Sequence, residues 1–414
     1  MNYKTFIIRE IKSMKRSIIL FIILSLSCSF LYLKQNENSG NILNVHFKFY
    51  FNEILFSASI NHSRPLWFIL DTGASDLIIN EKTVAELDLP LGDIVDQGFT
   101  GIGEERVYET CIKEVDLKIN DAENHFVEGV FAGKLDLIET VMGHRIDGVV
   151  GRHLFKKFVI ELDYQNKIFN MYNPNNYQFK DNGKQIPIFV QDVPYAKATV
   201  ILPNNQSIEG TFMIDNGSSG EISFTTQFCL EHNLPGQMKN SVPSIQTGGG
   251  GNSGNKVGRI NALIFGGYKI ESPIAAISKD SKGGMGRKDI AGLIGSGILK
   301  HFKVIFDYER NRMILNPYDS VFESMEWDMS GMFLYAKGNN FDQIYIYDVI
   351  PGSPADEAGI KGGDQIISID GINARSYSID DITKMFKLNG KQYNIGLLRN
   401  NKNIEVKIKL HKMI

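Results

Sequence analysis

Cysteine is scarce in this chain: Cys28, Cys111 and Cys229 are the three among 414 residues. So few thiols exclude the disulfide framework of a small secreted domain and a zinc site of paired cysteines. Cys229 falls in Thr225–Asn233, which predicts a helix, and a buried structural thiol is the simplest interpretation there. A disulfide between Cys111 and Cys229 is left as an alternative. We predict no metal site and no cofactor.

The chain also lacks the positive charge of a nucleic-acid-binding protein. Its net charge is −3, and residues 1–16 contribute +4, which leaves −7 for the remainder. An acidic body argues against nucleic acid as a partner. The glycine-rich segment 248–258 lacks the Gly-Lys-Ser/Thr ending of a phosphate-binding P-loop. Hydrophobic residues make up 43% of the chain, which is enough for two or three domains with cores of their own.

The amino-terminal segment, residues 1–40, combines positive charge with an apolar run. Five basic residues precede Ser17–Leu33, a stretch of seventeen residues without a charge. This order predicts a signal sequence or an uncleaved membrane anchor, with the rest of the chain exported to the cell envelope or periplasm. The run lacks a clean Ala-x-Ala cleavage site and is near the minimum length for a membrane span. Cleavage, retention as an anchor and lipidation at Cys28 are therefore three alternatives.

Two stretches that lie 144 positions apart organise the rest of the chain. Phe68–Ser75 reads Phe-Ile-Leu-Asp-Thr-Gly-Ala-Ser, and Phe212–Ser219 reads Phe-Met-Ile-Asp-Asn-Gly-Ser-Ser. In each, an apolar strand carries an aspartate into a glycine-containing turn, with Asp71 in the first and Asp215 in the second. A single turn of this kind would be ordinary.

The same offset of 144 recurs in other motifs. Gly148–Gly151 (Gly-Val-Val-Gly) is matched by Gly292–Gly295 (Gly-Leu-Ile-Gly), and each precedes an apolar strand that ends in Asp-Tyr. A period this long that occurs twice predicts a duplicated lobe, because solenoids repeat more often and at shorter spacing. Two lobes packed about a pseudo-dyad would bring Asp71 and Asp215 together at the axis.

These motifs resemble those of the bilobal aspartic proteases of the pepsin and retropepsin superfamily, and the resemblance covers residues 41–318. In that family an apolar-apolar-Gly strand braces each aspartate loop, and Val149–Gly151 and Leu293–Gly295 match it. The resemblance implies a mainly β fold with two pseudo-symmetric lobes. Lobe one is expected at residues 41–177 and lobe two at residues 178–320.

Glycine-rich stretches occupy corresponding positions in the two lobes. Gly101–Gly103 lies between strand-like segments and predicts a hairpin, and in the family a hairpin here closes over substrate. Residues 248–258 hold the same place in lobe two. They are expected either to cover the cleft or to form a disordered surface loop.

The resemblance implies peptide hydrolysis by two carboxyl groups, with Asp71 and Asp215 as the catalytic residues. Two carboxyls about 3 Å apart share one proton, so one can take a proton from water while the other polarises the scissile carbonyl. Five neighbours are expected to support the pair: Thr72, Gly73, Asn216, Gly217 and Ser218. Asn216 departs from the family, which has Thr or Ser there, and its amide replaces a hydroxyl that normally links the two loops. The departure is expected to affect activity more than fold.

The character of the sequence changes near Met329. Residues 329–410 resemble a PDZ domain, most specifically in Pro351–Ile360 and Gly363–Gly371. The resemblance implies a groove in which backbone N–H groups hold the terminal carboxylate of a peptide and the peptide adds a strand to the sheet edge. The loop expected to hold the carboxylate is Gly331, Met332, Phe333 and Leu334. The alternative is a rigid appendage with an empty or self-occupied groove.

Three functional hypotheses follow. The first is an exported, membrane-associated aspartic endopeptidase that acts on polypeptides and whose PDZ domain binds protein carboxyl termini. The second is a non-catalytic peptide-binding protein on a protease scaffold, for which Asn216 is the support. The third is a serine hydrolase with a PDZ domain, because Gly251–Gly254 (Gly-Asn-Ser-Gly) is similar to a trypsin-like nucleophile loop. Asn255 and Lys256 follow where that family has Gly-Pro, and a serine nucleophile also needs a base within reach.

Overall fold

The computed structural model describes residues 41–120, 122–126, 129–179, 182–319, 322 and 325–414. The predictions for residues 1–40, including the signal or anchor and lipidation at Cys28, lie outside the described residues. Within the described ranges, no helix is both long enough and apolar enough to cross a membrane.

The protein is mainly β, as predicted, and its described strands form three sheets. Alternation of apolar residues explains the strands of lobe one, where Phe56, Ala58 and Ile60 all enter the core from one strand. The described elements of lobe one are β1 (Asn41–Tyr50), β2 (Glu53–Ile60), β3 (Leu66–Leu70), β4 (Leu77–Asn80), α1 (Glu81–Glu86), β5 (Leu91–Phe99), β6 (Arg106–Ile112), β7 (Val115–Ile119), β8 (Ala122–Phe126), β9 (Val130–Gly133), α2 (Asp136–Met142), β10 (Gly148–Val150), α3 (Arg152–Lys157), β11 (Val159–Asp163) and β12 (Ile168–Tyr172).

Lobe two repeats this pattern of hairpins and short helices. Its described elements are β13 (Lys184–Pro187), β14 (Phe189–Val190), β15 (Pro194–Ile201), β16 (Ser207–Asp215), β17 (Ile222–Phe224), α4 (Thr226–Glu231), α5 (Leu234–Gln237), β18 (Val242–Gly248), β19 (Gly251–Arg259), β20 (Ala262–Phe265), β21 (Tyr268–Glu271), β22 (Ile274–Ile277), a 3₁₀ turn (Gly284–Gly286), β23 (Gly292–Gly295), α6 (Ser296–Leu299), β24 (Phe302–Asp307) and β25 (Arg312–Pro317).

Strands of both lobes form one continuous antiparallel layer. Its order is β13-β25-β24-β11-β12-β1. At its centre β11 pairs with β24, and Ile160 lies opposite Phe306. These two strands end at Asp163 and Asp307, the aspartates of the repeated Asp-Tyr pairs. A single hydrophobic cluster runs through both lobes, so the layer and the core hold them as one body.

Residues 329–410 form the third sheet and have a hydrophobic core of their own. The strand order is β26-β27-β28-β30-β31, with β29 paired to β28. The described elements are β26 (Met332–Lys337), β27 (Gln343–Val349), α7 (Pro354–Glu357), β28 (Gln365–Ile369), β29 (Ile372–Asn373), a 3₁₀ turn (Ala374–Ser376), α8 (Ile379–Met385), β30 (Gln392–Arg399) and β31 (Lys402–Lys409).

This third domain is docked on lobe one. Its edge strand β26 packs against helix α2. An added Cβ on Gly143, directly after α2, would lie 3.3 Å from the Cβ of Ala336 and 3.1 Å from the Cδ1 of Ile379. The domain is therefore in close contact with the lobes rather than tethered at a distance from them.

The thiols of Cys111 and Cys229 are both free, so the alternative of a disulfide between them is not realised. Cys229 lies buried in α4, and burial raises the pKa of its thiol to about 12. It is therefore a neutral core residue. Among the described residues no group of His, Cys, Asp and Glu side chains could hold a metal ion.

Candidate active site

Each aspartate lies at the end of a strand that has a parallel neighbour. In lobe one, β3 runs parallel to β10 with Leu70 opposite Val150, and the N–H of Asp71 donates to the Val150 carbonyl (2.9 Å). In lobe two, β16 runs parallel to β23 with Asp215 opposite Gly295. Parallel neighbouring strands are joined by long crossover connections. Each glycine motif can therefore brace an aspartate loop that precedes it by many residues in the sequence.

Gly151 and Gly295 occur where a side chain would collide with these loops. An added Cβ on Gly151 would lie 1.9 Å from the carbonyl oxygen of Asp71. One on Gly295 would lie 2.6 Å from the carbonyl oxygen of Ser218. The glycine of each apolar-apolar-Gly motif is thus required by close backbone approach.

Thr72 and Asn216 join the two loops by a reciprocal set of four hydrogen bonds. The Thr72 hydroxyl accepts from the N–H of Asn216 (2.9 Å) and donates to the Ile214 carbonyl (2.8 Å). The Asn216 amide accepts from the N–H of Thr72 (2.7 Å) and donates to the Leu70 carbonyl (2.8 Å). A carboxamide offers both an acceptor and a donor, as a hydroxyl does. The departure from the family pattern therefore preserves the link between the loops.

The two carboxyl groups face each other across the axis. The N–H of Gly73 donates to Oδ1 of Asp71 (2.7 Å), and the N–H of Gly217 donates to Oδ1 of Asp215 (3.0 Å). Each glycine also abuts the opposite carboxyl. An added Cβ on Gly217 would lie 2.2 Å from the Cγ of Asp71, and one on Gly73 would lie 2.8 Å from the Cγ of Asp215. The carboxyl of Asp215 is also close enough to that of Asp71 to influence its pKa.

Burial controls the protonation of this pair. It raises the pKa of the Asp71 carboxyl, while hydrogen bonds from Asp215 and from backbone N–H groups oppose the rise. Burial also raises the pKa of Asp215 well above its usual range, and the neighbouring charge of Asp71 adds to the effect. Like charges this close cannot readily both ionise, so one proton belongs to the pair.

Two serines complete the loop of lobe two. The N–H of Ser218 donates to the Asp215 carbonyl (3.2 Å), and the Ser218 carbonyl accepts from the N–H of Ser296 (2.8 Å). Among the described residues, the Ser218 hydroxyl makes no hydrogen bond to Asp215, so Ser218 supports the loop through its backbone. The Ser296 hydroxyl donates to the Asn216 carbonyl (2.8 Å). Sequence analysis missed Ser296, for which the available signal was its position directly after Gly292–Gly295.

Both aspartates open into a cleft that encloses about 310 Å³ between the lobes. Its walls are largely apolar and include Ile69, Ile138, Met213, Leu293, Met325 and Trp327. Met325 and Trp327 belong to the segment between lobe two and the third domain. That segment is thus part of the cleft wall, which its sequence did not indicate.

The two glycine-rich stretches meet over the cleft. They form the tips of the hairpins β5–β6 and β18–β19. The N–H of Gly250 donates to the Ile102 carbonyl (2.9 Å), and the N–H of Glu105 donates to the Gly250 carbonyl (3.0 Å). Gly103 has φ of 96°, and an added Cβ there would lie 2.1 Å from the Gly250 oxygen. The paired tips therefore cover this side of the cleft.

Ser253, the serine of the alternative nucleophile loop, is 3% exposed. Its hydroxyl donates to Oδ1 of Asp280 (2.7 Å), whose Oδ2 accepts from the N–H of Gly103 (3.2 Å). Within the described part of the chain, no imidazole accepts a hydrogen bond from this hydroxyl. Ser253 thus fastens the two hairpins together, and its geometry is not that of a serine nucleophile.

The loop predicted to hold a terminal carboxylate is occupied by a carboxylate of the chain itself. The N–H of Gly331 donates to Oδ1 of Asp328 (3.3 Å), and the N–H of Met332 donates to the Ser330 hydroxyl (3.1 Å). Phe333–Leu334 continue into β26, which pairs with β27 on one side and packs against α2. The structure therefore places the predicted groove against lobe one, with Asp328 at the carboxylate position.

Family comparisons agree with both parts of this description. Residues 56–154 match the model of an aspartyl protease, and residues 345–399 match the model of a PDZ domain. The first range contains Asp71 and Val149–Gly151. The chain thus contains an aspartyl protease domain and a carboxyl-terminal PDZ domain, as its sequence predicted.

Individual relatives match shorter parts of the chain. The serine protease HTRA1 of Xenopus tropicalis is 39% identical over 69 residues, which are 17% of this chain and 15% of that protein. A solved structure of the photosystem II D1 C-terminal processing protease has 19% identity and a TM-score of 0.19, and the match covers 20% of this chain and 23% of that one. The chain thus spans only 15% of HTRA1 and 23% of the processing protease, and neither match indicates the activity of this chain. The match to the aspartyl protease model supports a peptidase, and the match to the PDZ model favours peptide binding.

Proposed function

We propose that this protein is an aspartic endopeptidase in which Asp71 and Asp215 hydrolyse peptide bonds through an activated water. The observation that carries the proposal is the reciprocal bonding of Thr72 and Asn216, since it fixes two facing carboxyls on one cleft. The raised pKa values of the two facing carboxyls support this mechanism, because such a pair can hold one proton between them.

The mechanism follows from the shared proton. The ionised carboxyl takes a proton from a water between the pair, and the resulting hydroxide adds to the scissile carbonyl carbon. The protonated carboxyl donates to the carbonyl oxygen, so the developing negative charge is neutralised. Collapse of the tetrahedral intermediate passes a proton to the leaving nitrogen and restores the pair. Which aspartate begins with the proton is not assigned, because the proton belongs to both.

The hypothesis of a non-catalytic peptide-binding protein was supported by Asn216, and the hydrogen bonds of Asn216 remove that support. An asparagine that failed to reach the opposite loop would leave the pair misaligned. Here the amide makes both of the contacts expected of a hydroxyl at that position. We therefore favour catalysis over passive peptide binding.

For the PDZ domain we propose that its groove binds a polypeptide carboxyl terminus in a state in which Asp328 and Gly143 have left it. Both residues now occupy the groove. From the charge pattern of residues 1–40 we propose an exported protein of the cell envelope or periplasm, associated with the membrane through that segment.

The decisive test is hydrolysis of a diverse peptide library by the purified full-length chain between about pH 3 and about pH 8. Asp71→Asn and Asp215→Asn should each abolish hydrolysis, whereas Asp88→Asn, at an exposed position with φ of 51°, should not. Modification by a fluorophosphonate together with full activity in either active-site variant would instead support a serine hydrolase.

A further inference from the structure

A further carboxyl group, that of Glu53, lines the cleft beside Asp71 and Asp215. Glu53 opens β2, directly after the turn formed by Phe51 and Asn52, which have φ of 50° and 61°. Glu53 lines the same cavity as Asp71 and Asp215. Sequence analysis did not single it out, because a glutamate after a turn is a common surface pattern.

The turn that carries Glu53 is held from two sides. The side chain of Asn52 donates to the Ser219 carbonyl (2.9 Å) and accepts from the ammonium of Lys300 (3.3 Å). The N–H of Phe51 donates to Oδ1 of Asp380 in the PDZ domain (3.3 Å). Glu53 therefore lies on backbone fixed by both lobe two and the PDZ domain. Its position is preorganised relative to the catalytic dyad, which is the pair Asp71 and Asp215.

Comparison with Glu221 shows what is unusual about Glu53. Glu221 lines the same cleft, but its carboxylate accepts from the N–H groups of Ile274 (2.5 Å) and Met325 (2.9 Å). Among the described residues, the Glu53 carboxyl accepts no hydrogen bond and forms no ion pair. The described lining of the cavity contains no Lys, Arg or His side chain. Glu53 is thus a carboxyl that the fold positions without supplying a partner.

An unpaired carboxyl in this environment is costly when ionised. Burial raises the pKa of Glu53 well above its usual range, and the neighbouring charge of Asp71 raises it further. A cation that enters the cleft would offset both effects, because it supplies the opposite charge and the missing hydrogen-bond donors. A lysine or arginine side chain also has an aliphatic stem that can lie along apolar walls such as Ile69 and Met213.

We infer that Glu53 selects peptide substrates with a lysine or arginine side chain close to the scissile bond, bound in a largely apolar cleft. This inference rests on the proposed endopeptidase function and specifies its substrate class. Glu53 acts here as a specificity residue, since the hydrolytic chemistry belongs to Asp71 and Asp215.

The test uses matched peptides. The peptides differ only at the position nearest Glu53, where they carry lysine, norleucine or glutamine. That position is identified by scanning lysine along a cleaved peptide. For the full-length protein, kcat/KM should be about 10- to 100-fold higher with lysine than with the neutral analogues, as expected for one charge-assisted hydrogen bond. In Glu53→Gln that ratio should approach one, and in Glu53→Lys a glutamate peptide should become the preferred substrate.

The ratio separates specificity from changes in the dyad. Glu53 also acts on the pKa of Asp215, so its variants will shift absolute rates, but the two peptides share one dyad and the shift cancels in their ratio. Glu209→Gln, at an exposed glutamate paired with Lys197 (3.5 Å), is the matched control and should keep the wild-type ratio.

The outcomes distinguish the two proposals. Failure of the wild-type protein to cleave any peptide would refute the proposed function. Cleavage of lysine and norleucine peptides at equal rates by the wild-type protein would overturn the inference about Glu53 while leaving the endopeptidase in place. A lysine preference that persists unchanged in Glu53→Gln would do the same. Should that variant fail to fold, arginine and citrulline peptides tested on the wild type decide the question.

Discussion

Replacement of Asn216 tests whether its amide really joins the two catalytic loops. In Asn216→Ala the N–H of Thr72 and the carbonyl of Leu70 lose their partners, and both residues are fully buried. Each unsatisfied buried backbone group costs about 1–3 kcal/mol, so the free energy of unfolding of the lobes should fall by about 2–6 kcal/mol. That is a large fraction of the stability of an ordinary domain.

Asn216→Thr should behave differently, because a hydroxyl can accept from Thr72 and donate to Leu70 as the Thr72 hydroxyl does on the other side. We expect a loss below about 1.5 kcal/mol and unchanged or higher peptidase activity. The exchange variant Thr72→Asn/Asn216→Thr inverts the arrangement and should be more stable than the sum of its single changes predicts, because the two sites share their partners.

Denaturant unfolding of Asn216→Ala, Asn216→Thr, Thr72→Asn and the exchange variant, with peptide hydrolysis measured on the same samples, measures these differences. The reasoning is refuted if Asn216→Ala unfolds within about 0.5 kcal/mol of the wild type, the range of an ordinary surface substitution. It also fails if Asn216→Thr is as unstable as Asn216→Ala, since the hydroxyl and the amide would then not be equivalent.

Three further predictions follow from the same contacts. Asp215→Asn should be inactive yet more stable than the wild type at neutral pH. The pKa of Asp215 is raised in the folded state, so the stability of the wild type falls as the pH rises from the unfolded pKa of about 3.9 towards the folded value. An asparagine does not ionise and therefore does not lose this stability. A Tm difference that is the same at every pH would contradict this. Gly151→Ala should lower the free energy of unfolding by about 3 kcal/mol or more, because its Cβ would lie 1.9 Å from the Asp71 carbonyl oxygen. Gly254→Ala is the control in denaturant unfolding, because no atom lies within 4 Å of the added Cβ. Deletion of residues 329–414 should reduce cleavage of short peptides as well as proteins, because Phe51, in the turn before Glu53, packs on the PDZ core. An unchanged kcat/KM for peptides would show that the cleft does not need that support.

The catalytic loops could be predicted from the sequence because their signals are local. An apolar strand that ends in Asp-x-Gly is encoded within eight residues, and its recurrence at an offset of 144 reveals the duplication. The pairing of Asp71 with Asp215 then follows from symmetry, because two copies of one lobe can place equivalent residues at a shared axis. The glycines of Val149–Gly151 and Leu293–Gly295 were predictable for the same reason.

The remaining features depend on how separately folded parts of the chain pack against one another, and no short sequence pattern encodes that packing. The turn that carries Glu53 contacts Asp380, more than 300 positions away in the chain, and Ser219 of lobe two. The role of Asn216 was ambiguous in sequence, since only the distance between the loops decides whether an amide can reach both Thr72 and Leu70. The sequence by itself determined the strands, the duplication and the aspartate pair, because these follow from periodicity and local turn chemistry. The tertiary structure decided that Glu53 faces the cleft and that the PDZ groove closes on lobe one, because these contacts depend on the packing of separate hydrophobic surfaces.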